Sequence, residues 1–153
     1  MKRCYKCKAE TLKETTAPDQ VTVGGRTFEG EVPALECASC GEVVYPGPGL
    51  MAFELSVAGE LARHGEVTAE VFGFMRRAMG MKAVDLAELL DVTHETVSRW
   101  ENDKQPVERR AAALLSAMVL DQIEGKTSTL DRLKALLKPE PLPKLVRLVP
   151  RPA

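Results

Sequence analysis

At 153 residues the chain is long enough for one ordinary domain or two small ones, and its 44% hydrophobic and 28% charged content is that of a folded protein, not a disordered one. With 21 basic and 22 acidic side chains the net charge is -1, so no whole-molecule positive field attracts nucleic acid or an anionic membrane, and such a partner must be bound locally. The opening MKRCYKCKAE has no apolar stretch and no run approaches the roughly 20 apolar residues of a membrane span; the expectation is a cytoplasmic, reduced protein with no membrane partner.

In chain order, Cys4 and Cys7 form a first C-x-x-C. VTVGGRTFEG follows, two alternating runs joined by Gly24-Gly25, the signature of a β-hairpin whose type I′ turn needs φ > 0 at both central positions. VPALEC and GEVVYP read as further short strands and flank a second C-x-x-C, Cys37 and Cys40. PGPG at 46–49 breaks the pattern, and LMAFELSVAGELARHGE then puts Met51, Leu55, Ala58, Leu61 and Ala62 on one helical stripe, a connecting helix ending near His64-Gly65. From Thr68, a candidate N-cap, the reading is all helix: near 68–79, 82–90, 93–102, 106–123 and 128–137, with Gly80, Asp91, Asp103 and Gly125 at the junctions. The last stretch, KPEPLPKLVRLVPRPA, holds five of the ten prolines and reads as an extended tail in which KLVRLV is available as an added strand for a partner. The expected fold class is therefore α+β in two domains: a small zinc-ribbon-like β domain with its connecting helix (1–66), an all-α five-helix domain (67–138), and a tail (139–153).

The two cysteine knuckles are separated by 29 residues, and a hairpin between them brings Cys4, Cys7, Cys37 and Cys40 to one point. Four thiolates suit one zinc ion per chain in a closed tetrahedral site, without an open position for catalysis. Such an ion is structural: apparent binding energies of about 10–16 kcal/mol replace a core that some fifty residues cannot supply. The competing reading is a thioredoxin-like redox motif, but that needs a helix after the motif within a βαβ unit, and neither knuckle has one. His64 and His94 lie far from the knuckles. No acid–base pair, partnered nucleophile or phosphate loop stands out, so no enzyme is expected.

Within VTHETVSRWENDKQP, Val97 and Trp100 share one helical face while Glu95, Arg99 and Asn102 cluster on the other. The preceding MKAVDLAELLDV supplies Val84, Leu86, Ala87, Leu89 and Leu90 to a compact apolar helix. Two short helices and a tight turn, the second apolar inside and polar outside, fit a helix-turn-helix, with Thr93 as the N-cap of the second. Residues 68–138 carry 11 basic and 11 acidic side chains, so one copy should bind DNA weakly and two should be needed. Leu114, Leu115, Met118, Val119, Leu130, Leu133 and Leu137 are shared between domain core and dimer surface in a proportion the sequence does not reveal.

MKAVDLAELLDVTHETVSRWENDKQP, above all Thr96 to Asn102, resembles the Cro/C1-type (Xre) helix-turn-helix over about residues 69–123. Together with the N-terminal C-x-x-C…C-x-x-C-G-E module, nearly the whole chain resembles the MqsA-type antitoxins, also described as YgiT-type zinc-finger proteins. That resemblance implies a zinc domain that meets a small ribonuclease toxin, and a helix-turn-helix that dimerises on the operon's palindromic operator DNA. It implies base contacts from His94, Glu95 and Arg99, phosphate contacts from Lys82, Thr96, Asn102 and Lys104, and a structural ion pair of Arg76 with Glu101. An arginine can give guanine two hydrogen bonds and a glutamate can accept from cytosine, but Glu95 and Arg99 are also spaced for an ordinary surface ion pair. One departure is Asp91, where the family commonly has glycine.

Three functions follow: a DNA-binding antitoxin and autorepressor, a solitary zinc-containing helix-turn-helix regulator with no toxin, and a thiol redox protein. The hairpin residues Val21, Val23, Thr27 and Phe28 are candidates either for pairing with a partner or for the small domain's own core.

Overall fold

The computed structural model describes residues 3–152. Gly24 and Gly25 take φ of 61° and 72°, the left-handed values that a two-residue I′ turn requires. On either side of them, β1 (Leu12–Val23) and β2 (Arg26–Cys37) pair antiparallel, with Val23 opposite Arg26 and Leu12 opposite Cys37. VPALEC, expected as a separate strand, is instead the second half of β2. Its Pro33 sits opposite Thr16, tolerated because the outer edge of β2 is unpaired there and no ladder bond needs the missing N–H. GEVVYP supplies only the two-residue β3 (Val43–Val44), which pairs with Leu35 and Glu36 in the sheet order β1-β2-β3. The face of the hairpin that carries Ala17, Val23, Val32 and Ala34 is buried.

The breaker at 46–49 runs directly into α1 (Gly47–His64), which stops at Gly65 in the left-handed region (φ 69°). The buried stripe of α1 is Val57, Ala58, Gly59 and Leu61. Met51 is 57% exposed and Leu55 only half-buried, because only the second half of the helix reaches the helical core and its first turns lie against the thin hairpin. At Gly59 a side chain would collide with Ile123: a Cβ there would stand 2.4 Å from its Cδ1.

Among the described residues five helices follow: α2 (Ala69–Ala78), α3 (Ala83–Leu89), α4 (His94–Glu101), α5 (Arg109–Ile123) and α6 (Ser128–Leu137). The Thr68 and Thr93 hydroxyls accept from the N–H groups of Val71 (3.2 Å) and Thr96 (3.1 Å), capping α2 and α4. Gly80, Asp91, Asp103 and Gly125 all have positive φ, at 70°, 54°, 55° and 68°, and end the preceding helices. Expected from residue 106, α5 begins at Arg109, because Glu108 is extended (φ -68°, ψ 129°) and takes the N-cap position. The Asp121 carboxylate of α5 accepts from the Thr129 N–H at 2.8 Å, tying α6 to its neighbour.

Phe72, Met75, Leu86, Val97, Trp100, Leu115, Met118 and Val119 form one core with Val57, Ala58 and Leu61 of α1. Trp100 meets Phe72 edge-on, with centroids 5.6 Å apart and planes at 80°. Val84, expected in this apolar set, is 54% exposed, while Leu86 and Ala87 of the same helix are buried. Of the residues shared between core and surface, Leu115, Met118, Val119 and Leu133 are buried, Leu114 and Leu130 half-buried, and Leu137 is 39% exposed.

The turn end of the hairpin also belongs to this core. Val23 is 2% exposed within it, and Val21 and Phe28 pack against it. Polar contacts hold the same end, the Gly24 N–H donating to Glu70 at 3.1 Å and Arg26 pairing with Glu66 at 2.7 Å. These valines and Phe28 therefore do not form a private core; they join the sheet to the helices. Removing Trp100 should empty the centre of this core: Trp100→Ala is expected to cost about 3–5 kcal/mol in urea unfolding, whereas Asp91→Gly should raise stability by up to about 1 kcal/mol by relieving a left-handed side-chain residue.

Candidate metal centre and nucleic-acid interface

The open end of the hairpin carries two knuckles of one design. Cys4 O accepts from the Lys8 N–H at 2.9 Å and the Cys4 N–H donates to Ala9 O at 2.9 Å; Cys37 O accepts from the Gly41 N–H at 2.8 Å and the Cys37 N–H donates to Glu42 O at 2.9 Å. Lys8 and Gly41 both turn left-handed, at φ 64° and 71°. This shared turn aims both sulfurs of each knuckle inward. The Ala38 N–H donates to Thr11 O at 3.0 Å, fixing the second knuckle against the start of β1.

As a result the four sulfurs lie within 4.8 Å of one another, with Cys4 to Cys40 at 3.7 Å and Cys7 to Cys37 at 3.6 Å. A zinc–sulfur bond of about 2.3 Å places sulfurs about 3.8 Å apart on the edges of a tetrahedron. The set therefore fits one zinc ion, and a soft, all-thiolate donor set selects it over oxygen-seeking cations. Cys4 and Cys37 are buried and Cys7 and Cys40 exposed. Neither knuckle opens a helix, since the first begins at Gly47; this is not the setting of a dithiol redox motif.

The electrostatics show what four close thiols demand. A hydrogen bond from the Thr11 hydroxyl, followed by N–H groups of Cys40 and Ser39, holds Cys37 down at about 6. Cys4 is lowered chiefly by the Cys7 N–H. At Cys40 the Glu42 N–H pulls down, but desolvation and hydrogen bonds with the other three sulfurs outweigh it and push the thiol up to about 12. Some of these groups ionise readily and the last resists, because negative charge is already beside it. A dication among them removes that conflict.

Two side chains absent from the sequence reading support the centre. Thr11 touches Cys37 at 3.3 Å and Ser39 at 2.9 Å. Glu42 accepts from the Tyr5 hydroxyl and, at 2.9 Å, from Lys6, so the second knuckle grips the two residues inside the first; both contacts hold its carboxyl below the ordinary range. The only signal of this in the sequence is the place of Glu42 directly after C-x-x-C-G.

In the helical half, α4 turns Val97 and Trp100 inward and leaves His94, Glu95 and Arg99 exposed. Arg99 bonds Glu95 at 2.6 Å, with side chains 55% and 71% exposed. A helix-surface pair of this kind is worth about 0.3–0.5 kcal/mol, so either partner is easily released to a ligand. Lys82 takes the N-cap position of α3 and Asn102 the C-cap of α4, where its side-chain amide donates to Ser98 O at 2.8 Å. Thr96 is half-buried with its hydroxyl 2.9 Å from that of Thr93, and Lys104 is exposed in the loop after α4. Arg76 and Glu101 stand apart from this surface: the guanidinium engages both carboxylate oxygens, one at 2.9 Å, and donates to Met81 O at 2.8 Å. At 13% and 14% exposed, the pair joins α2 to the end of α4 and to the turn before α3.

The helix-turn-helix family matches residues 74–118, which run from α2 into α5. No curated protein matches the chain. Residues 74–118 are thus similar to a helix-turn-helix, a motif of DNA-binding transcription regulators, and the chain also carries four cysteines close enough to coordinate one metal ion. Among the described residues no helix is long and apolar enough to cross a membrane.

Cys37→Ser should abolish stoichiometric zinc, measured by elemental analysis, and broaden the amide resonances of residues 4–20 while those of α2–α5 stay in place. Full zinc retention in that variant would contradict the assigned ligand set.

Proposed function

We propose that this chain is an antitoxin and transcriptional autorepressor, which binds a small ribonuclease toxin through its zinc-bearing half and palindromic operator DNA, as a dimer, through α4. The observation that carries the DNA part is the exposed face of α4: His94, Glu95 and Arg99 lie outward on a helix whose opposite side is locked into the core by Val97 and Trp100. An eight-residue helix held this way projects a polar ridge of a size that enters a major groove. In this reading Arg99 reads guanine, Glu95 accepts from cytosine, and Lys82, Thr96, Asn102 and Lys104 hold the flanking phosphates. A charge-balanced helical half needs two copies for useful affinity, on half-sites about 34–36 Å apart.

For the toxin, support comes from the order of parts, a Cys4 hairpin ahead of a helix-turn-helix, and from charge. Along the hairpin Glu14, Asp19, Glu29, Glu31 and Glu36 face only Lys13 and Arg26, which suits a basic partner of the kind that binds RNA. A second reading, a solitary regulator, is favoured by the burial of Val23 and the packing of Val21 and Phe28 on the helical core, which leaves less of the hairpin free for another protein. In either case zinc is structural and no reaction is catalysed.

Arg99→Ala should cost about 1–3 kcal/mol per half-site on the DNA upstream of the gene, in gel shifts at fixed salt, with an unchanged circular dichroism spectrum; equal affinity would remove Arg99 from the interface. Co-expression with the adjoining reading frame separates the two readings. A neighbour that is toxic alone and harmless with this chain supports the antitoxin, and a harmless neighbour leaves the regulator.

A further inference from the structure

We propose that the proline-rich tail, residues 139–152, docks in the groove between α3 and α6 of a second copy of this chain, and that the exchange is reciprocal. The inference deepens the dimer of the proposed function and rests on it.

The tail is exposed throughout, with Leu142 82%, Leu148 81% and Val149 93% accessible. Its chemistry repeats every three residues: Leu142-Pro143-Lys144, Leu145-Val146-Arg147, Leu148-Val149-Pro150. A polyproline II helix has three residues per turn, so the leucines fall on one edge, Pro143, Val146 and Val149 on a second, and Lys144 and Arg147 on the third. A β-strand, the use KLVRLV alone suggests, would mix lysine, valine and leucine on one face. Two apolar edges and a cationic ridge suit an apolar groove with an acidic rim.

Such a groove, of about 610 Å³, opens between α3, α6 and the turn before α3. Met81, Leu89, Leu130 and Leu137 are its apolar lining, Asp85 and Glu88 stand on the α3 rim, and Lys134 and Lys138 on the α6 rim. Asp85 and Glu88 are exposed and make no ion pair among the described residues. The cationic ridge therefore has unpaired carboxylates to meet on one rim, which sets the direction of docking.

The occupant cannot be the chain's own tail. That tail leaves from Lys138, itself a wall of the groove. Lys138, Glu140 and Leu142 each precede a proline and are driven to extended backbone, while Pro139, Pro141 and Pro143 fix their own φ. Residues 138–143 thus make a rod of about 19 Å that cannot reverse into the groove at its root, and no tail residue beyond Lys138 lines it. A groove on another copy is within reach, and a reciprocal exchange closes a two-fold dimer. Duplex DNA is the poorer occupant for this tail: it would leave both apolar edges unused.

Sedimentation equilibrium of the full-length, zinc-loaded protein tests this. The wild type should be a dimer, and Leu145→Ser with Leu148→Ser should weaken it by about a hundredfold or more without changing the melting temperature of α2–α5, since both leucines are exposed within one chain. Asp85→Lys with Glu88→Lys should weaken it too, and adding Lys144→Glu with Arg147→Glu should restore it. A dimer indifferent to all these changes overturns the tail's role and leaves the dimer standing. A monomeric wild type overturns both. Unaltered dimerisation with reduced DNA affinity in Lys144→Gln with Arg147→Gln overturns the docking and makes the tail a DNA-binding arm.

Discussion

Four sulfurs within 4.8 Å of one another cannot all lose their protons in each other's company unless a cation sits among them. The shape of the N-terminal half depends on that constraint. At the open end of the hairpin the buried side chains are the ligands Cys4 and Cys37 themselves, whereas the apolar burial of Val23 lies at the far end, in the helical core. One sheet thus has two unlike ends, four sulfurs placed for metal–thiolate bonding at its cysteine end and the hydrophobic effect at its turn. The twelve-residue strands between them have no thick core of their own and could not hold an independent fold at this size.

The helical half answers a different demand, that of presenting a polar surface rigidly. The eight-residue α4 is too short to be stable alone, so its orientation comes from Trp100 against Phe72 and from the bidentate contact of Arg76 with Glu101. The Arg76 contact with Met81 O extends that bracing to the turn ahead of α3. On the outer face of α4 the side chains make only local contacts, the weak pair of Glu95 with Arg99 and the bond of Asn102 to Ser98 O.

Much of this was legible in the chain. The paired C-x-x-C spacing announced the cluster, Thr68 and Thr93 announced their caps, and Gly80, Asp91, Asp103 and Gly125 marked helix ends where φ is indeed positive. Local rules suffice for such features because the physics is local. Contacts between distant segments were another matter. Nothing near Val23 says that it will be buried under helices, and the stripe on α1 was drawn through Met51 because periodicity cannot tell which turns of a helix reach a core. VPALEC was expected as a separate short strand, yet Pro33, in an unpaired edge position, costs no hydrogen bond and the strand runs on through it. Thr11 and Glu42 escaped notice since supporting contacts to ligands have no spacing rule. That His94, Glu95 and Arg99 bind DNA was expected from a family likeness alone; the structure adds that their side chains are exposed.

One feature of the architecture bears on how such a protein can change over time. With Val57, Ala58 and Leu61 in the same core as α2 and α5, and its first half against the sheet, α1 serves as a wall for both halves. A gene fusion that swapped the DNA-reading part at residue 67 would carry away half of a hydrophobic contact and leave a hole in the recipient. A cut before Gly47 would let this helix be inherited with the helices it packs on, at the cost of the smaller contact that Val23 makes with the same core.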